Sequence, residues 1–440
     1  MLLLGSIFLI LTAYYFIKPV REGWLSVSAI QGLSKLEVKA YSAFGQTLVL
    51  MAVMPFYVRL STVWSRRELI TRVGWFFIAA LLCFWVVQPG LIVERVPFAG
   101  VAFYLFVGIF SVTIVAQFWA FASDLYGVER GRRLFPLIAL GASAGAVVGS
   151  WIGERLVRLA WLEAFDLILL SLAPLAAALW LARRADRRLV AQEAPRAMPG
   201  YDSVPAVPSN EGAFALILRH HYLTATAAMI LIFSWVVASG DNVLFGLVQQ
   251  MLEADLAADN AVPGSPEFSR LLKNATTAFY SDLYFWINLI GLLLQAFIVS
   301  RIVDLGGFRL LVVTTPLISL AAYVAMAVAP VLGIIKAMKI AENSSNYSIQ
   351  NTARHMLWLP TTKAMLYQAK PTVDTFFVRL GDGLAAVTVM IGARLLDLTL
   401  IQFVYINIVL VIVWLALSLY IGREHRRMRL ALQKPEAVSA

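Results

Sequence analysis

Residues 2–24 read LLLGSIFLILTAYYFIKPVREGW, an apolar run whose last third contains the charged residues Lys18, Arg21 and Glu22. About 20 apolar residues are what a helix needs to cross the hydrocarbon core of a bilayer. An ionisable group inside such a span is costly unless it faces a bundle interior, water or a partner of opposite charge. The run therefore predicts a first membrane helix that carries a polar functional site.

The rest of the chain has the same apolar character as this first run. It is 60% hydrophobic and 14% charged over 440 residues, whereas soluble domains have roughly a quarter charged residues. The apolar runs are continuous, which favours helices over the alternating strands of a membrane barrel. We predict an all-α membrane protein with about twelve transmembrane helices, at roughly 3–23, 38–58, 71–89, 98–122, 134–153, 161–182, 222–246, 279–300, 307–327, 329–350, 375–396 and 400–421.

The net charge of +10 is distributed as an orientation signal. Arginine and lysine crowd alternate loops, and the positive-inside rule makes those loops cytoplasmic, with both termini inside. No nucleic-acid partner is expected, because topology explains the basic excess. One cysteine and four histidines without ligand spacing predict no disulfide and no metal site.

A long polar segment that contains several prolines divides the chain into two parts. We predict a six-helix bundle over 1–183, a cytoplasmic linker over 184–218, and a second six-helix bundle with a cytoplasmic tail over 219–440. Two parallel six-helix halves are the plan of the major facilitator fold, which binds substrate near the midplane. A second loop, roughly 248–277, is interpreted as an outer spacer rather than as a short helical cap.

The first helix offers the leading candidates for substrate binding. Spacings of three and four place Lys18, Arg21 and Glu22 on adjoining positions of one face, with Tyr15 just above them. A cationic face beside aromatic rings suits an anion that has a ring to stack and phosphates to neutralise. The alternative is that Lys18 and Arg21 only extend to the interface. Pro19, which is expected to interrupt the helix, and Glu22, an internal partner, favour the binding site.

Other spans also carry polar residues that cannot face lipid. Lys336, Lys339, Asn343 and Asn346 lie on one predicted face of span ten. The candidate binding residues outside the first helix are Gln117, Asp241, Asn242, Asp282, Lys336, Lys339, Glu342, Asn343, Asn346, Arg379 and Asp382. The candidates include the cations Lys18, Arg21, Lys336, Lys339 and Arg379, from which we predict anion transport. Asp241, Asp282 and Asp382 are alternatively proton sites.

Two further groups of residues are candidates for a role in conformational change. Gly141, Gly145, Gly149 and Gly153 recur every four residues in span five, a spacing that lets helix backbones approach closely. Candidate gating residues are Asp124, Arg132, Arg133, Asp304 and Arg309. They are either latches that break as the halves rock or parts of solvated loops.

Four stretches resemble the ATP/ADP antiporter family of plastids and intracellular bacteria, and its facilitator-type bacterial relatives. They are YYFIKPVREGW, FWAFASDLYGVERGRRLFPLIALGASAGAVVG, FYSDLYFWINL and ENSSNYSIQNTARHMLWLPTTKAMLYQAKPTVDTFFVRLGDGL. The resemblance implies the facilitator fold and nucleotide exchange, and matches Lys18, Arg21 and Glu22 to the charges of the family's first motif. The chain departs from the family at Val107, Asn346 and Asp382, where the family has an acidic residue, a lysine and a lysine.

We therefore expect a secondary transporter of the bacterial inner membrane that moves an organic anion by alternating access. A nucleotide, exchanged as ATP for ADP, is the leading candidate, and the expected partners are that solute and the lipid bilayer. We expect a monomer without a cofactor and without enzymatic activity, because no motif for ATP hydrolysis is present. The alternatives are proton-coupled transport of an unrelated metabolite and a membrane scaffold or sensor that does not transport.

Overall fold

A computed structural model describes residues 1–28, 30–64, 66–89, 91, 98–159, 161–190, 212–362 and 365–433. Within these ranges the side chains of 54–62, 66–67, 124, 127–133, 188–190, 367 and 431–433 are not described. The described residues are helical and include no β-strand. This confirms the prediction of an all-α membrane protein.

The helices follow the apolar runs. In chain order they are α1 Leu2–Ser26, α2 Lys35–Val63, α3 Arg66–Val86, α4 Ala99–Val157, α5 Asp166–Val190, α6 Ala213–Arg219, α7 His221–Ala258, α8 Pro266–Leu293, α9 Val299–Val328, α10 Leu332–Ser345, α11 Asn351–Met356, α12 Lys370–Thr372, α13 Val378–Arg394 and α14 Leu400–Gln433. Four π-helical segments occur at Leu294–Ile298, Asn346–Gln350, Met365–Ala369 and Val373–Phe377.

Nine stretches of the described chain are long and apolar enough to cross a membrane. One of them, Pro266–Val328, has 63 residues, about three times what one crossing requires. It breaks at Gly307, whose φ of 60° and ψ of −157° suit glycine because it has no Cβ. This stretch therefore contains more than one span.

The 59-residue helix α4 also contains two spans. Phe110 packs on Tyr14, with ring centroids 6.3 Å apart, and Gly149 lies against Thr12, only two residues before Tyr14 on α1. In a straight helix these positions of α4, 39 residues apart, would be separated by about 58 Å. The chain must therefore reverse direction between them, as the predicted spans four and five require.

The predicted outer spacer at 248–277 is mostly helical, which corrects that interpretation. Helix α7 continues to Ala258 and α8 begins at Pro266. The tail of α7 is rich in Leu, Ala, Glu and Gln, which are good helix formers even outside the membrane. Asn260 and Gly264, both with positive φ, form the short turn between the two helices.

The chain forms two compact units. The first contains Met1–Ala197 and Val248–Asn288, and the second contains Met198–Leu247 and Leu289–Ala440. The end of α7 and most of α8 thus pack with the N-terminal helices, although they follow the polar segment at 184–218. The boundaries predicted for the two bundles stay a prediction.

Ion pairs help to hold residues 248–288 in the first unit. Lys273 donates to Glu163 at 2.8 Å, and Lys35 lies 3.9 Å from Glu253. Lys35 also donates to the carbonyl of Ser26. Burial lowers the pKa of Lys35, and the nearby Glu253 carboxylate partly opposes this change.

The glycine stripe of span five lies against α1. A Cβ on Gly149 would lie 2.7 Å from the carbonyl oxygen of Thr12, and a Cβ on Gly145 would overlap the carbonyl of Phe8. At Gly153 the nearest atom would be 3.6 Å away, an ordinary contact. The stripe therefore allows the two helices to pack backbone to backbone.

Candidate functional site

A buried group of charged residues lies where α1 and α2 meet in the first unit. It consists of Lys18, Arg21 and Glu22 from α1 and Lys39 from α2, and we call it the basic cluster. The exposed fractions of the side chains are 12% for Arg21, 1% for Glu22 and 5% for Lys39. These charges are thus removed from bulk water. A buried charge is costly when it has no partner of opposite charge.

Glu22 is a carboxylate that pairs with two of these cations. Arg21 donates from Nε at 3.0 Å and from Nη2 at 2.6 Å to Oε1 of Glu22. Lys39 donates to the other oxygen, Oε2, at 2.6 Å. Since Lys18 is a third cation, the basic cluster has a surplus of two positive charges. An anionic ligand would balance this surplus.

Lys18 is surrounded by aromatic rings instead of acids. Its ammonium lies 3.9 Å from the ring centroid of Tyr284, 5.2 Å from that of Tyr15 and 5.8 Å from that of Tyr14. No described residue forms an ion pair or a hydrogen bond with it. The face of an aromatic ring attracts a cation without neutralising it. An anionic ligand would thus supply the partner of opposite charge that Lys18 lacks among the described residues.

Further aromatic and polar groups complete the surroundings of the cluster. Tyr104 packs its ring 4.4 Å from the guanidinium carbon of Arg21 and 4.6 Å from the ammonium of Lys39. The hydroxyl of Tyr15 donates to Asn288 at 3.0 Å. Rings and hydrogen-bonding groups beside cations are the features that bind a molecule with both a ring and a phosphate.

Sequence reasoning missed three members of this site, namely Lys39, Tyr104 and Tyr284. Lys39 had a usable signal, because it is a charge within the predicted span 38–58. Tyr104 and Tyr284 had none, since aromatic residues are common in membrane helices. Only the packing of α4 and α8 on α1 identifies them.

The second unit contains a different buried group, which we call the paired cluster. It consists of Lys339 and Glu342 of α10, Asp241 of α7 and Tyr323 of α9. Lys339 donates to Glu342 at 2.6 Å and lies 3.4 Å from Asp241. The hydroxyl of Tyr323 donates to Glu342 at 3.0 Å. With one cation and two carboxylates, this cluster has no positive surplus.

Other cations of the second unit also have carboxylate partners. Arg379 pairs with Asp382 at 3.1 Å. Asp374 accepts from Arg354 at 2.9 Å and from Lys370 at 2.5 Å. These three cations of the second unit thus each contact a carboxylate, whereas Lys18 of the first unit contacts none among the described residues.

Two amide side chains on the π-helical segment of span ten are buried without partners. Both polar atoms of Asn346 and both of Gln350 lack a hydrogen bond within the described structure. An unsatisfied buried polar atom costs about 1–3 kcal/mol, and π-helical turns are frequent at functional sites. Asn346 is also the position at which the antiporter family has a lysine.

The other predicted binding residues occupy varied environments. Gln117 lies outside the basic cluster, because its amide donates to the carbonyl of Leu69 on α3 at 3.3 Å. Asn242 and Asn343 are buried. Asp282 and Lys336 are partly exposed.

The candidate gating residues are not joined into latches in the described structure. Asp304 and Arg309 are exposed on either side of Gly307, and no ion pair joins them there. The side chains of Asp124, Arg132 and Arg133 lie outside the described residues.

Comparison with known sequences gives one distant relative. No family model matches the chain. ADP,ATP carrier protein 1 of Chlamydia trachomatis is 22% identical over 353 residues, which are 69% of this chain and 61% of the carrier. The match thus spans less than two thirds of the carrier.

Solved transporter structures match the whole chain at low sequence identity. A POT family transporter in complex with 5-aminolevulinic acid has a TM-score of 0.62 and 12% identity, covering 97% of this chain and 96% of that one. Nucleoside transporter NupG has a TM-score of 0.58 and 13% identity, covering 98% and 99%. A bacterial homolog of the human lysosomal transporter Spinster has a TM-score of 0.55 and 13% identity, covering 96% and 97%. The chain is a multi-pass membrane protein with the major facilitator fold.

Proposed function

We propose that this protein is a secondary transporter that moves an organic anion by alternating access, with a nucleotide as the leading candidate. The observation that carries the proposal is the unpaired Lys18 ammonium beside Arg21 and Lys39. A surplus of two buried positive charges is stable when an anion occupies the site. The low-identity match to an ADP,ATP carrier supports a nucleotide as that anion.

The groups around the basic cluster suit the two parts of a nucleotide. Arg21 and the lysines offer donors for phosphate oxygens, and charge-assisted hydrogen bonds of this kind are strong. Tyr15 and Tyr284 offer ring faces and edges for a base. We place the protein in the bacterial inner membrane with both termini cytoplasmic, as the arginine-rich loops predict.

Counterflow in proteoliposomes tests this proposal. Vesicles that contain the purified protein and internal ADP should take up labelled ATP without a pH gradient, and a protonophore should not stop the uptake. Lys18→Gln should abolish uptake, because it removes the unpaired charge. Arg270→Gln is the matched control, since Arg270 is exposed and pairs with Glu267 and Glu163 instead of with a member of the basic cluster. Uptake by Lys18→Gln at the wild-type rate would reject the site.

Proton-coupled transport of another metabolite is the second candidate. The observation that favours it is Asp241, whose side chain is 50% exposed beside the buried Lys339. A carboxylate within a membrane protein that water reaches is able to exchange a proton. Uptake that requires a proton gradient and is lost in Asp241→Asn would support this function over nucleotide exchange.

A further inference from the structure

A small cavity lies between α3 and α5 of the first unit, apart from the basic cluster. Its volume is about 270 Å³, and its lining residues are Glu68, Thr71, Arg72, Arg183 and Arg187. Three of these five residues are arginines. The cavity therefore offers guanidinium groups to a ligand.

Two of the three arginines that line the cavity lack a carboxylate partner among the described residues. Arg72 pairs with Glu68 at 3.7 Å, and Nε of Arg183 donates to the hydroxyl of Thr71 at 3.3 Å. Neither Arg183 nor Arg187 has a carboxylate partner among the described residues. The lining thus has a surplus of two positive charges, with Arg183 held in place by a neutral group.

The cavity lies at the polar ends of two apolar helices. Glu68 and Arg72 lie in the first two turns of α3, and Arg183 and Arg187 lie near the C-terminal end of α5. The two helices run antiparallel, because Gly74 lies against Leu179 while Thr71 bonds to Arg183. These span ends therefore lie on the same side of the membrane.

Exposed aromatic residues next to the cavity indicate a lipid-facing surface. Trp180 is 55% exposed and Phe76 is 62% exposed. The guanidinium carbon of Arg184 lies 5.0 Å from the ring centroid of Trp180. Tryptophan is enriched at membrane interfaces, where its ring lies beside headgroups and upper acyl chains.

We infer that this cavity binds the phosphate of an anionic glycerophospholipid. Planar guanidinium groups match phosphate oxygens in geometry and charge, and basic pockets between membrane helices bind anionic headgroups. A free phosphate has the same oxygens but lacks acyl chains for the exposed aromatic surface. Arg183 and Arg187 are the principal ligands of the lipid phosphate.

Native mass spectrometry of the delipidated protein in detergent tests this inference. The probes are cardiolipin, phosphatidylglycerol and phosphatidylcholine, with inorganic phosphate as the ligand without acyl chains. The wild type should retain the two anionic lipids in preference to phosphatidylcholine. In Arg183→Gln/Arg187→Gln their affinity should fall about tenfold, because each basic residue near anionic lipid contributes favourably.

The matched control is Arg423→Gln/Arg426→Gln, which removes two exposed arginines at the end of α14. It should retain the lipids like the wild type. An equal loss in both double variants would mean non-specific attraction and would overturn the inference, as would no loss in either. Displacement of lipid by inorganic phosphate at similar concentration would assign the cavity to a soluble anion instead. Arg187→Gln alone, an exposed change, provides the same test if the double variant unfolds.

Discussion

The basic cluster and the paired cluster are both buried among membrane helices, yet their charges are balanced differently. In the basic cluster one carboxylate, Glu22, pairs with both Arg21 and Lys39, and Lys18 contacts tyrosine rings instead of an acid. In the paired cluster the single cation Lys339 is matched by Glu342 and lies near Asp241. Thus the basic cluster contains more cations than carboxylates, whereas the paired cluster does not.

This difference separates a binding role from a structural one. A buried charge without its counter-ion raises the free energy of the empty protein, and the energy is recovered when a ligand supplies the opposite charge. A self-neutralised group gains nothing from an anion. Lys339 and Glu342 are more suited to holding α7, α9 and α10 together, because Tyr323 and Asp241 join the same network.

The largest effect should come from Gly145→Leu, which tests whether the basic cluster depends on the position of α1. A leucine there must push α1 away, because even a Cβ overlaps the Phe8 carbonyl. We expect little folded protein and no nucleotide binding, as measured by size-exclusion yield and calorimetry. Gly153→Ala should behave like the wild type, since the new Cβ would lie 3.6 Å from its nearest neighbour, Cδ1 of Phe16, an ordinary contact. Normal yield and binding by Gly145→Leu would contradict the close packing.

The next largest effect should separate the two clusters by stability. Lys339→Met leaves Glu342 buried with only a tyrosine hydroxyl, and breaking a buried pair costs about 3–5 kcal/mol. Lys39→Met should cost less, because Glu22 keeps its two hydrogen bonds from Arg21. Thermal unfolding in detergent measures both changes. Lys339→Met/Glu342→Gln should recover much of the loss; if it is no more stable than Lys339→Met, the pair is not the cause.

A third change should affect binding more than stability. Arg21→Gln removes charge-assisted hydrogen bonds worth about 1.5–3 kcal/mol, so nucleotide affinity should fall about tenfold to a hundredfold. Glu22→Gln increases the positive surplus, and its affinity should not fall. Isothermal titration calorimetry with ADP compares the two variants. A greater loss in Glu22→Gln than in Arg21→Gln would show that charge surplus does not drive binding.

The smallest effect is expected for Asp241→Asn in the paired cluster. Asp241 is half exposed, and its 3.4 Å contact with Lys339 is secondary to the 2.6 Å contact with Glu342. Ion pairs with an exposed member contribute about 0–1 kcal/mol. ADP-driven ATP uptake should therefore change less than about fivefold. Complete loss of uptake would make the second unit part of the coupling mechanism.

Much of the fold was predictable because the bilayer imposes strict requirements on sequence. A span must be long, apolar and helical, so the runs from Leu2 onwards identify the helices without knowledge of their neighbours. The prediction of a spacer loop was wrong at 248–277, because most of this polar stretch is helical. Lack of hydrophobicity marks the end of a membrane span, but it does not mark the end of a helix.

The candidate site was predictable only in part. Lys18, Arg21 and Glu22 were identified because charges are rare in membrane helices. The pairing of these charges was not predictable. Helical spacing does not show that Lys39 and Arg21 both bond to Glu22, or that no described acid pairs with Lys18. Gln117 shows that a polar residue in a span also serves to join two helices, and its role in substrate binding stays a prediction.

By itself the sequence determined that this chain is a helical membrane protein with charges inside its first span. These properties depend on local composition and on the cost of exposing backbone or charge to lipid. The tertiary structure alone decided which charges are neutralised and which remain unpaired. Electrostatic balance depends on distances of a few ångströms between side chains remote in sequence, such as Lys18 and Tyr284.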